Sequence, residues 1–281
     1  MAAASRVATN GAPRASLVGC VLTAVIGLLV LAGCASQRPP SEAPPSYPGF
    51  DLWRYPGDDA MQTWREASPY EWVGVYLPAP CHRDSSWVGT REALERMGWG
   101  TAVLYVGQQV FEDHPESEPG DGPIICSRTL LSAEQGRADA RDAIAKAAAE
   151  GYSVGTILFL DVEKTNTVPA ALLTYVRSWM GAVFAEGPYV PGLYVHRQNA
   201  ATLFQQARAA YRAAGRGGRP PMWIAGGDDF ALDRSPGAVG LPFASIWQGV
   251  LDAERTWGGV TLSVDENVAD RPSPSAPRRG S

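Results

Sequence analysis

Thr156-Ile157-Leu158-Phe159-Leu160-Asp161-Val162-Glu163 (TILFLDVE) lies just past the middle of the 281-residue chain. It reads as a buried strand that ends in acid. An apolar run of this length, preceded by Gly155, is the pattern of a strand covered on both faces, as in a parallel sheet. Side chains alternate along a strand, so Asp161 and Glu163 share one side and Val162 takes the other. Their Cα atoms are expected about 6.5–7 Å apart.

Helices flank this strand. Ser132 to Glu150 carries an N-cap serine, Gln135 at the capping-box position, an alanine-rich body and Gly151 as a stop. Pro169 to Glu186 and Asn199 to Ala214 are helical by composition, and Thr90 to Met97 is shorter. Further strands appear on both sides: Gly49-Phe50-Asp51, Trp72 to Leu77, Thr101 to Val106, Gly192 to His196, Met222 to Ala225, Ala244 to Gln248 and Leu262 to Asp265. With TILFLDV they make eight. Alternation of strand and helix implies a parallel α/β sheet, and eight strands in one domain imply a TIM-type (β/α)8 barrel, with helices weak or missing near the C-terminal strands. No glycine-rich phosphate fingerprint follows the first strand, which disfavours a dinucleotide fold.

Barrels of this type carry their chemistry at the C-terminal ends of the strands. Asp51 ends the first strand, Asp161 and Glu163 the fourth, and Asp265 the eighth. In a closed barrel the first and eighth strands are neighbours and the fourth faces them, so four acids converge on one mouth. Glycoside hydrolysis needs such a set: one carboxyl kept protonated for the leaving oxygen, and another ionised to stabilise, attack, activate water or orient a substrate amide. Structural capping and cation binding are the other uses of strand-end acids. No serine-elbow, zinc-protease or Cys-His pattern is present, and no cofactor or metal motif is read.

Six segments occur in order: Gly49-Phe50-Asp51, Phe159-Leu160-Asp161-Val162-Glu163, Gly192-Leu193-Tyr194, Met222-Trp223-Ile224-Ala225, Ile246-Trp247-Gln248 and Val264-Asp265-Glu266-Asn267. The succession resembles glycoside hydrolase family 25, the lysozyme-like muramidases. It is still more similar to the glycoside-hydrolase-like domain of secreted actinobacterial proteins, a domain of unknown function related to that family. The resemblance implies that Glu163 is the general acid, that Asp161 assists the reacting centre and that Asp51 and Asp265 tune and position. It also implies that Tyr194, Trp223, Trp247 and Gln248 line a sugar cleft, although both tryptophans read equally well as core. On the same grounds, the proton of the acid cluster is expected on Glu163. The chain departs from the muramidase pattern after Asp51, with Leu-Trp-Arg-Tyr-Pro-Gly, and in the long acidic insertion Gln108 to Leu131, a solvated loop or a lid.

The remainder of the chain concerns export. Arg6 and Arg14 precede an apolar run, Leu17 to Leu31, that ends in Ala32-Gly33-Cys34. A basic head, a short apolar core and small residues before a cut site form a signal peptide, residues 1–33. The exit resembles the lipobox of bacterial lipoproteins, which implies lipid on Cys34 and cleavage before it; an uncleaved anchor is the other reading. Either puts the remainder outside the cytoplasm, at the outer face of the membrane or in the cell envelope. Residues 34–48 read as a Pro/Ser-rich stalk, 49–270 as the barrel and 271–281 as a disordered tail. Cys81 and Cys126, left over in an oxidising compartment, are expected to pair, two separate buried thiols being the alternative. The formal charge is −5, and loss of Arg6 and Arg14 makes it more negative. That argues against nucleic acid and against electrostatic binding to anionic lipid, and leaves the lipid anchor as the one membrane contact. The expected partner is a cell-wall glycan of peptidoglycan type, cleaved by an enzyme or held by a non-catalytic binding or scaffold protein.

Overall fold

In the computed structural model, residues 45–110 and 126–278 are described here. The proposed leader, Cys34 and most of the stalk fall outside them, as do the acidic residues of the insertion between 111 and 125. The strands are β1 (Tyr47–Asp51), β2 (Trp72–Leu77), β3 (Gly100–Val106), β4 (Ile157–Val162), β5 (Val190–His196), β6 (Met222–Ala225), β7 (Ile246–Trp257) and β8 (Val260–Ala269). They close in sequence order into an eight-stranded barrel. Five helices surround it: α1 (Asp58–Ala67), α2 (Arg91–Met97), α3 (Ala133–Ala149), α4 (Ala170–Glu186) and α5 (Arg197–Ala213). As the sequence implies, no α-helix follows β6 among the described residues. A helix that the sequence reading omits, α1, has Asp58 and Asp59 in its first turn and buries Met61 and Trp64.

One strand corrects the all-parallel expectation. β1 to β7 run parallel, but β8 is antiparallel to both neighbours, β7 and β1. The cause is local. Gly258 and Gly259, at φ 56° and 83°, form a two-residue turn between Trp257 and Val260, and a tight turn can join only antiparallel strands. Asp265 therefore does not end its strand. It sits mid-strand opposite Asp51 and reaches the mouth because β8 enters from that side. The hairpin tip leans on α1, where Trp64 Nε1 donates to the Val260 carbonyl at 3.1 Å, and so covers ground a helix would otherwise hold.

The barrel interior is aromatic, and glycines make the room. Trp223 meets Trp72, Phe159 and Tyr194 edge-on, at centroid distances of 5.5, 5.8 and 5.4 Å. A Cβ on Gly49 would lie 2.2 Å from the Trp72 ring, and one on Gly192 would lie 2.7 Å from Phe159. On the outer side of β1, Phe50 packs among Trp64, Tyr70 and Trp99.

The ends of the barrel domain also need correction. β1 begins at Tyr47, inside the expected stalk. The expected disordered tail is docked as far as Arg278. β3 and β4 pair only from Val103 and Leu158 upward, and Ser275 fills the splay below. Its N–H donates to Thr101 O at 2.9 Å, its carbonyl accepts from Ile157 N at 2.8 Å, and its hydroxyl bridges Val103 N and Ile157 O. Ser273 Oγ accepts from Thr101 N. The Pro/Ser composition that suggested disorder instead supplies hydroxyls to strand-end backbone groups that would otherwise be buried unpaired. The cysteines pair as expected: Cys81, after β2, is joined to Cys126, after β3, with Cα atoms 5.1 Å apart.

Candidate active site

The four acids meet at the mouth. Asp51 is 2 % exposed and held by three donors: Tyr76 OH to Oδ1 at 2.6 Å, and Asn267 Nδ2 and Gln248 Nε2 to Oδ2 at 2.8 and 2.9 Å. The Gln248 amide also donates to Asp265 Oδ2 at 3.1 Å and accepts from Tyr194 OH at 2.7 Å. One glutamine thus ties two carboxylates from neighbouring strands to a tyrosine across the mouth. Asp265 takes a further bond from Asp252 N at 2.8 Å. On β4, Gln109 clamps the backbone: its Nε2 donates to Asp161 O at 2.9 Å and its Oε1 accepts from Glu163 N at 3.0 Å. That fixes the two acids relative to each other.

Their environments differ. Asp161 is 4 % exposed, and its Oδ1 is buried without a partner. Burial, then the charges of Glu163 and Asp51, raise its pKa well above the carboxylate range. Glu163 lies one residue beyond β4, at the solvent-facing lip. The surrounding protein raises its pKa and Asp51 adds to the rise, while the Lys164 N–H opposes it. Asp265 is pushed up to about 7, first by burial and then by Asp51. Asp51 is raised by burial against the lowering effect of its three donors. Tyr194, raised by burial, feels all four acids. Four carboxylates in one low-dielectric mouth cannot all ionise cheaply, and protons are retained. Glu163 is raised, as the sequence reading expects, and Asp161, buried with no donor on Oδ1 among the described residues, is raised as well.

A cleft of about 430 Å³ opens over Asp51 and Asp265, walled by Trp53, Arg54, Tyr76, Asp252 and Ser263. Among the described residues no cluster of His, Cys, Asp and Glu is arranged to hold a metal ion.

The match to a family model decides the relationship: residues 62–269 fit the Rv2525c-like, glycoside hydrolase-like domain. The chain belongs to that family. Solved structures share the fold. An uncharacterized B. stearothermophilus protein is 19 % identical with a TM-score of 0.51, over 80 % of this chain and 96 % of that one. The spore cortex lytic enzyme SleM of Clostridium perfringens is 13 % identical with a TM-score of 0.52, over 83 % and 69 %. The modular autolysin LytC of Streptococcus pneumoniae is 15 % identical with a TM-score of 0.51, over 79 % of this chain and 46 % of LytC. No curated protein sequence matches the chain.

Within this member of the family, the aromatic wall differs from the sequence reading. Trp223 and Trp247 are 0 % exposed and cannot offer a face to a sugar. Trp223 lies inside the barrel below the acids and donates to Asn267 Oδ1 at 2.9 Å, which orients the amide that donates to Asp51. Trp247 points to the other side of β7 from Gln248, donates to Gly226 O and is covered by Phe230. Gln248 is 1 % exposed and is a positioning residue; Tyr194 remains half-buried at the mouth.

The exposed aromatic at the cleft is Trp53, at 53 %. It rests edge-on against His82 at 4.2 Å, and His82 stacks on Tyr76 at 4.8 Å. His82 is fully buried, neither ring nitrogen has a partner, and burial pushes its pKa down to about 4, so the platform beneath Trp53 is neutral. Trp53, Tyr76 and Asn267 were absent from the sequence-derived site. The signal for Trp53 was its place two residues beyond a strand-end acid, where an indole has no core to join.

Proposed function

We propose that this protein is a lipid-anchored glycoside hydrolase of the cell envelope that cleaves a peptidoglycan-type glycan with its strand-end carboxylates. Asp161 is the observation that carries the reading. It is a carboxyl group inside the mouth, driven toward its protonated form by burial and two neighbouring charges, with one oxygen that has no hydrogen-bond partner among the described residues. A buried polar atom left unpaired costs stability, and a ligand that accepts its proton removes that cost. Sugar hydroxyls, amide carbonyls and glycosidic oxygens are such acceptors. In this reading Glu163, at the lip, protonates the leaving oxygen. Asp161, deeper, donates to a substrate amide or hydroxyl beside the reacting carbon. Asp51 and Asp265, held by Gln248, supply negative charge as the oxocarbenium-like centre develops. Trp53 stacks on an apolar sugar face.

Membership of a glycoside-hydrolase-like family supports the reaction class, and a fold shared with a spore cortex lytic enzyme and an autolysin supports a wall glycan as substrate. The lipobox-like Leu31-Ala32-Gly33-Cys34 supports anchoring at the outer membrane face. The test is incubation of the purified protein with defined peptidoglycan and other wall glycans, with new reducing ends read by mass spectrometry. Wild type is expected to release them. Glu163→Gln is expected to lower turnover about 10²–10⁴-fold, the contribution of a positioned acid, while still binding glycan. Glycan binding by wild type without release would make the protein a wall-binding member of the family instead.

A further inference from the structure

At the closed end of the barrel, opposite the acids, two adjoining cavities of about 640 and 80 Å³ open between the loop before β4, the start of β5, the loop after α5 and the tail. Arg216, Arg219 and Arg278 line them, and no carboxylate does. A third hollow of about 360 Å³ continues the surface between α4 and α5, with alanines and Gly181 on its floor and Arg177 and Arg216 at its edges. Glu186 and Asp270, acids on this side, are paired with Arg141 and Arg271 at 3.4 and 3.3 Å. Among the described residues no carboxylate pairs with Arg216 or Arg219. Arg219 Nη1 donates to the Pro242 carbonyl at 2.6 Å, and Arg216 lies over the Phe184 ring at 5.7 Å. Burial and the charge of Arg271 hold Arg278 below the ordinary arginine range, Arg219 adds to this, and Asp270 and Tyr211 oppose it.

On the rim of the same cavity Val154 is 74 % exposed. Cations for phosphates beside an aliphatic side chain for the acyl boundary is the composition of a surface that rests on a bilayer. The chain also enters β1 from this end, at Tyr47. Cys34 lies 13 residues earlier, within about 45 Å of extended chain. Among the described residues Arg216 and Arg219 are thus without a carboxylate partner at the end from which the proposed anchor departs.

We propose that the closed end is a docking face for an anionic phospholipid surface, with Arg216 and Arg219 against lipid phosphates and Val154 between headgroups. It rests on the lipid-anchored reading only for where the membrane lies, and it sets the carboxylate mouth facing away from the membrane. The proposal departs from the expectation, drawn from net charge alone, that the chain makes no electrostatic contact with anionic lipid, because net charge does not report a local arginine cluster.

The test uses residues 42–281 without lipid. This stretch is a compact unit, and every strand, the core and the disulfide lie within it. Sedimentation with phosphatidylglycerol vesicles is compared with phosphatidylcholine vesicles near 0.1 M salt, where the screening length is about 10 Å. Binding to the first and not the second is expected. The double variant Arg216→Ala/Arg219→Ala should bind roughly thirtyfold more weakly, and Val154→Asp should also weaken binding. Arg128→Ala/Arg137→Ala, exposed arginines at the other end of α3, should not. Unchanged thermal melting shows that each variant folds; if the double variant does not, Val154→Asp and the phosphate competition decide. Equal binding to both vesicles, no binding to either, or equal loss from the control pair would overturn the proposal. Full release by inorganic phosphate at matched ionic strength would overturn it too, because the face would then hold a soluble anion. Glu163→Gln should bind vesicles like wild type, which separates failure here from failure of the catalytic reading.

Discussion

Asp161 and Asn differ by one proton-bearing oxygen, and that difference should be visible in stability. A carboxyl whose pKa is raised in the folded state stabilises the fold only while protonated. Its contribution is whole below the unfolded pKa and is lost as pH rises through the folded pKa. Asp161 and Asp265, the latter raised to about 7, both have this sign. His82, lowered to about 4, has the opposite sign: its contribution is present above about 6.5 and is lost as pH falls toward 4. Wild type should therefore gain stability from pH 8 to about 6.5, with His82 offsetting further gain below. Asp161→Asn should gain on wild type in melting temperature between pH 4, where both side chains are neutral, and pH 9, because only the carboxyl has a proton to lose. Calorimetry at both pH values checks it; a gap that narrows or reverses at pH 9 would show that Asp161 is structural in its ionised form. Trp53→Ala should weaken glycan binding on the order of tenfold, the loss of one aromatic face, with melting unchanged; titration of wall fragments by fluorescence is the readout. At this scale Asp51, Asp161 and Glu163 were legible because strand ends announce themselves, whereas Asp265, read as a strand end, lies mid-strand and reaches the mouth by the antiparallel course of β8. The tryptophans were not, for two reasons. Trp247 and Gln248 are successive strand residues and cannot both face the cleft, a contradiction already present in the sequence. Trp223 does point inward, but its depth below the mouth follows from strand stagger, which composition does not encode.

Elements show a similar division. β2 to β6 were readable because buried parallel strands are nearly continuous in apolar residues. The direction of β8 was readable in principle, since Gly258-Gly259 between alternating runs is a hairpin signal. The expectation of one more β-α repeat outweighed it. The tail was the harder case: its order comes from backbone groups of β3 and β4 far away in sequence. Removing residues 271–281 should expose Thr101, Val103 and Ile157 to partners they lack, a loss of five hydrogen bonds. At about 1 kcal/mol each, the urea midpoint should fall by the equivalent of roughly 3–5 kcal/mol. An unchanged midpoint would mean that the tail lies on the barrel without holding it.

For the whole molecule, the disulfide and the proposed anchor set what the fold must withstand. Cys81 and Cys126 enclose 45 residues of sequence separation, and the chain-entropy account assigns a loop of that size about 4 kcal/mol. Cys81→Ser/Cys126→Ser should lower stability by up to that amount in equilibrium unfolding. It should also loosen the support of Trp53, because His82 follows Cys81 directly and lies under the indole. A double variant with wild-type glycan affinity would show that the stack stands without the bond. Cys34→Ala should abolish incorporation of a fatty-acid probe and leave unprocessed precursor; equal labelling of both chains would remove the anchor from the account.

The antiparallel return of β8 has a mechanical side. Tyr47 and Ala269 are ladder partners at the closed end, so β1 starts and β8 finishes at the same rim. Pulled apart by those two ends, β1 and β8 separate rung by rung, like a zipper. Held by the N-terminal end alone while a long polymer tugs at the mouth, β1 is loaded along its length, and its rungs to β2 and β8 share the force together. The proposed tether at one end and the proposed glycan at the other would meet the stiff direction of this sheet.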